Sequence, residues 1–125
     1  MISLEMARKL KDAGLKWEPE MGDVYYGRGT LFDWDFALLK EEQKTKGIVW
    51  APRLHQILAE IVAQGYGYNL SSPFRDGKYD CMVWEDGCGP RKIITANTPE
   101  QAAAEALLWI LQRERDAEKN MKDMT

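Results

Sequence analysis

Residues 66–111 read YGYNLSSPFRDGKYDCMVWEDGCGPRKIITANTPEQAAAEALLWIL, and the changes of period inside this run decide the fold. Tyr66, Tyr68 and Leu70 alternate with small or polar neighbours, the period of two that marks a strand. Asp76-Gly77 then supplies a tight turn with positive φ values. Tyr79, Cys81 and Val83 alternate against Asp80, Met82 and Trp84, and Asp86-Gly87 and Gly89-Pro90 break the chain again. Lys92 to Ala96, with Ile93 and Ile94 on opposite faces, makes a third strand. Both faces of this meander carry apolar groups, so the sheet is either covered on both sides or uses one side to bind something. At Thr98 the period becomes helical. Thr98-Pro99-Glu100-Gln101 is a capping box, with proline where its missing N–H costs nothing and an acid facing the positive end of the dipole. Ala103, Ala106, Leu107, Ile110 and Leu111 make the buried face, small residues first, which lets the helix lie close to what is beneath it.

Upstream, two more amphipathic helices are legible. One starts at Pro52, presents Leu54, Ile57, Leu58, Ile61 and Val62 as an apolar stripe, and closes at Gly65. The other runs from about Leu4 to Ala13, with Ser3 as N-cap, Leu4, Ala7 and Leu10 at helical spacing, and Gly14 to end it. Between them, Val24 to Tyr26, the turn Gly27-Arg28-Gly29 and Leu31 to Phe36 read as a hairpin, because Phe32, Trp34 and Phe36 alternate with Asp33 and Asp35. Leu38 to Lys46 is polar and suits a short exposed helix or a loop. The expected fold is α+β: a mainly antiparallel sheet of about five strands packed with three helices, in the order α-β-β-α-β-β-β-α. One domain over residues 1–118 is expected, followed by a frayed charged tail over 119–125.

The chain has 125 residues, with 17 Lys and Arg against 20 Asp and Glu, a formal charge of −3. At 45% hydrophobic and 30% charged it has the make-up of a globular protein. The sequence shows no apolar run of membrane-spanning length and no basic-then-apolar leader, so a cytoplasmic protein is expected. Two cysteines, Cys81 and Cys88, are too few for a disulfide scaffold and fit a reducing compartment. Mild acidity disfavours direct nucleic-acid binding, which takes a clustered basic face. The charge is unevenly spread. Residues 17–36 hold Glu18, Glu20, Asp23, Asp33 and Asp35 against Arg28 alone, a net −4, whereas residues 1–16 carry +2. Six of the thirteen aromatics fall in that same acidic stretch.

Chemistry is harder to find. His55 flanks an apolar stripe with no Ser or Cys partner in view, and reads as a boundary residue. Cys81 and Cys88 with one histidine elsewhere lack the paired spacing of a zinc site, so no metal is expected. Asp33-x-Asp35 would suit a metal or an acid–base pair, but two solvated acids on an outer strand face explain them more simply. Gly27-Arg28-Gly29 and Gly87-Cys88-Gly89-Pro90 lack the strand–loop–helix layout of a phosphate cradle. Neither a catalytic residue nor a cofactor is therefore assigned. Trp17, Tyr25, Tyr26, Trp34 and Trp50 exceed what the core obviously needs; they either fill a second core layer or anchor an interface. Trp109, beside the last helix's stripe, would suit a helix-mediated homodimer if exposed.

Four blocks also carry a family likeness: the opening helix Met6 to Gly14, Tyr25-Tyr26, Trp50-Ala-Pro52 with Leu54 and Ile57-Leu58, and Gly65-Tyr66 leading to the Thr98–Leu111 helix. With these the chain resembles small proteins encoded by tailed phages and prophages, and its layout looks like the phage α-β-α sandwich domain. The resemblance implies a viral origin and a non-enzymatic protein that grips one host or phage protein, including inhibitors of host defence nucleases. It brings no catalytic residues with it. On charge and composition, the partner-binding residues expected are Glu18, Glu20, Asp23, Tyr25, Tyr26, Asp33, Trp34 and Asp35. The alternatives are a small-molecule or nucleotide-binding module with a pocket between sheet and helices, and a weak metal-dependent enzyme around Asp33 and Asp35.

Overall fold

The meander and its helix form the larger part of the described structure. In the computed structural model, which describes residues 2–16, 23–27, 30–33, 49–72, 77–85, 87 and 91–123, the strands β4 (Tyr66–Ser71), β5 (Tyr79–Glu85) and β6 (Arg91–Ala96) make an antiparallel sheet in the order β4-β5-β6. Tyr68 lies opposite Val83, Leu70 opposite Cys81 and Cys81 opposite Ile94, so the apolar alternation of all three strands shares one face. Helix α3 (Pro99–Asp123) lies across that face, over β5 and β6. Its N-terminus is capped as its residues dictate, the Gln101 N–H donating to Thr98 Oγ1 at 3.1 Å. Ala102, Ala103, Ala104, Ala106, Leu107 and Ile110 are fully buried, and the small residues allow the close approach. The helix runs on to Asp123, and between Pro99 and Lys119 its last buried residue is Leu111.

The other part is built on the same core. Helix α1 (Leu4–Asp12) packs on α3 through Met6, Ala7 and Leu10, with Ser3 Oγ accepting from the Met6 N–H. Helix α2 (Leu54–Ala63) packs on α3 and β4. Gly14 (φ 107°) and Gly65 (φ 87°) turn the chain out of these helices in the left-handed conformation that favours glycine. The buried stripe of α2 is narrower than its spacing suggests: Ile57 and Ile61 are fully buried, Leu54 and Leu58 half-buried, and Val62, on the flank, is 56% exposed. Pro52 precedes α2 rather than opening it, and Arg53 is the N-cap.

Among the described residues, the α+β class, three helices and antiparallel pairing are as expected, and the strand inventory gains one member. Val49–Ala51 forms β3, too short for an alternation to show, and it pairs with β1 (Val24–Gly27). Strand β1 also pairs with β2 (Thr30–Asp33), giving a second sheet in the order β2-β1-β3. The described strands therefore form two three-stranded sheets rather than one of five. The hairpin register sets Gly27 opposite Thr30 and Val24 opposite Asp33.

Candidate binding surfaces

Of the residues expected to meet a partner, Asp23 and Tyr25 are core residues, which corrects that part of the expectation. Asp23 is fully buried, and its Oδ1 accepts from Gln56 Nε2 at 2.6 Å and from Arg53 Nη2 at 3.2 Å. A carboxylate cannot be buried unpaired, so the start of α2 supplies a cation and an amide to hold it. Gln56 is itself oriented, its Oε1 accepting from the Arg53 backbone N–H at 2.9 Å. Tyr25 is 2% exposed because β1 alternates, and Asp23, Tyr25 and Gly27 are the buried positions of that alternation. Tyr26 faces the other way, is half-buried, and donates its hydroxyl to the Ile2 carbonyl at 2.9 Å. Asp33 ends β2, next to the Asp23 end of β1. Glu18, Glu20, Trp34 and Asp35, like the loop or helix read at Leu38–Lys46, lie outside the described residues, as do Trp17 and Cys88.

A second surface went unassigned in the sequence, although the two-sided apolarity of the meander was its signal. Residues in register across β4, β5 and β6 share a face, so the side away from α3 carries three rows. One row is Ser71, Asp80 and Thr95; the middle row is Asn69, Met82 and Ile93; the last is Gly67, Trp84 and Arg91. Ile93 is 61% exposed, Met82 and Trp84 are half-buried, and Arg91 is exposed. Thr95 Oγ1 donates to Asp80 Oδ1 at 2.6 Å. The indole of Trp84 leans over Gly67 so closely that a Cβ there would meet it at 2.6–2.7 Å, so only glycine leaves room for the ring.

Of the remaining candidates, Cys81 and Trp109 belong to the core or pack against it. Trp109 is half-buried and packs edge-to-face on Tyr66 with ring centroids 6.3 Å apart, and the Arg113 guanidinium stands 5.5 Å over it. Arg113 pairs with Glu85 at 3.2 Å, and Tyr66 donates to Glu114 Oε1 at 3.2 Å. Burial, with help from the Glu114 carboxylate and against the pull of Arg113, holds the Tyr66 hydroxyl above its ordinary pKa. Burial alone pushes the Cys81 thiol up to about 11. His55 is exposed at the rim of an open cavity of about 510 Å³ that Lys16, Trp50, Gln56 and Glu60 also line. Another open cavity, about 620 Å³, lies at the start of α3 between Tyr26, Lys78, Thr95 and Gln101. Among the described residues, no three His, Cys, Asp or Glu side chains gather as metal ligands, and no helix is long and apolar enough to cross a membrane. No family model, curated protein or solved structure matches the chain.

Proposed function

We propose that this is a non-enzymatic accessory protein of phage or prophage type that works by binding a host or phage protein, with its acidic–aromatic segment, residues 17–36, at the contact. The most specific form of the reading is inhibition of a host defence nuclease in the host cytoplasm. What supports it is the way β1 is held. Asp23, Tyr25 and Tyr26 fasten the base of the segment to α2, to the core and to the Ile2 carbonyl, so whatever the segment presents starts from a fixed frame. Pairing with Arg53 occupies Asp23, and by sequence the segment still counts Glu18, Glu20, Asp33 and Asp35 against Arg28. Such a charge excess steers a basic partner and sets its on-rate more than its dissociation.

The test is affinity capture from host lysate, then reconstitution with the purified partner and a combined E18Q/E20Q/D33N/D35N variant. Association is expected to slow on the order of tenfold, and its salt dependence to flatten, with the melting midpoint little changed. A variant that associates as fast as the parent protein at every salt concentration would overturn the reading.

A further inference from the structure

We infer that the outer face of the β4-β5-β6 sheet is a self-association surface that takes a second copy of this chain across a two-fold axis. The argument starts from the order of side chains along the strands. The middle row carries an exposed isoleucine, Ile93, on one edge strand, the half-buried Met82 beside it, and the exposed Asn69 on the other edge. The two ends carry opposite charge: Asp80 with Thr95 at one, Arg91 beside Trp84 at the other. Exposed apolar groups on a rigid sheet mark a protein contact, and the charge pattern says which protein. A two-fold axis running across the strands through the Met82–Ile93 row lays that row on its own copy. The same rotation brings each Arg91 end over the other copy's Asp80–Thr95 end, so the complementary contact forms twice. An axis along the strands would instead stack Asp80 on Asp80. Two sheets facing in this way pack about 10 Å apart with their strands within about 30° of alignment. Asp80 is available for the role, because Thr95 engages one carboxylate oxygen and leaves lone pairs for a guanidinium.

Size sets the strength. Three strands about 4.8 Å apart and six residues at about 3.3 Å each cover roughly 300 Å² of sheet, well under the ~800 Å² per partner of a standard interface. The dimer is therefore weak, with a dissociation constant well above about 1 µM, and forms at the concentrations of a spectroscopic sample.

The inference is independent of the acidic segment, and its test reads mass rather than partner capture. Sedimentation velocity on the full chain from about 10 µM to about 1 mM is expected to show a concentration-dependent shift from monomer to dimer. Ile93→Asp is expected to abolish it with the melting midpoint retained. Asp80→Arg and Arg91→Asp, each placing like charges in contact, are expected to weaken association at least about tenfold. The sharper experiment mixes those two single variants. Across a two-fold axis each supplies the charge the other has lost, so the mixture is expected to heterodimerise more tightly than either variant dimerises alone. The D80R/R91D double variant is likewise expected to recover dimerisation within a few-fold of the parent chain. A chain that stays monomeric at about 1 mM, a dimer indifferent to Ile93→Asp, or charge variants that fail to complement would each overturn the inference. In the first case a different protein, or none, covers the face.

Discussion

The Asp23 carboxylate shows how one buried acid organises its surroundings. Arg53 and Gln56 both reach it across some thirty residues of sequence, one as the N-cap of α2 and the other from its first turn. Asp23→Asn keeps the shape and removes the charge, so it is expected to cost about 1–3 kcal/mol, the worth of hydrogen bonds to a charged group. Urea denaturation checks this, and a midpoint equal to that of the parent protein would mean the pair contributes nothing. Cys81 makes a prediction of opposite character. Its thiol titrates near its ordinary value of 9.0 in the unfolded chain but at about 11 in the folded one. The folded state thus keeps a proton that the unfolded state has lost. Its contribution to stability is complete below about pH 9 and is lost as pH rises to about 11, and the raised Tyr66 pKa acts in the same direction. Cys81→Ala is expected to flatten the alkaline fall in melting temperature while lowering the midpoint at neutral pH through the cavity it leaves.

At the scale of elements, α3 carries the most weight. Leu107 and Ile110 are both fully buried against the sheet and the other helices. Truncating either to Ala is expected to cost on the order of 2–5 kcal/mol, a large share of a small domain's stability. Near-unchanged denaturation midpoints would refute that. This helix was also the most legible element in the sequence, because cap, proline, small residues and apolar stripe all pointed one way. The meander was legible for the same reason, since a strict period of two shows over six or seven residues. Strand β3 was not: three residues cannot display a period, and Val49-Trp50-Ala51 reads equally well as the lead into α2. The candidate site was less legible than the fold. Tyr25 and Tyr26 are adjacent aromatics that β1 sends to opposite sides, and Asp23 resembled its acidic neighbours until Arg53 and Gln56 were brought to it. Composition finds an acidic segment, but only long-range pairing decides which acid is buried.

Across the whole molecule, the first helix rests on the last. Met6, Ala7 and Leu10 share the core with the α3 residues, and Arg115 Nη1 donates to the Asp12 carbonyl at 2.9 Å. At about 1.5 Å per residue, the 25 residues of α3 make a rod of about 37 Å, long enough to back the larger sheet and still reach the end of α1. A chain ending before Pro99 is expected to lack cooperative unfolding, because α1, α2 and the meander all lose the surface they bury against; differential scanning calorimetry of that fragment is the check. The same arrangement fixes when the protein can mature in a cell. A ribosome adding ~5–20 residues per second releases α1 several seconds before α3 exists, so α1 waits without that docking surface. Its apolar face stays open to chaperones for that interval, and this core closes only after α3 has cleared the exit tunnel.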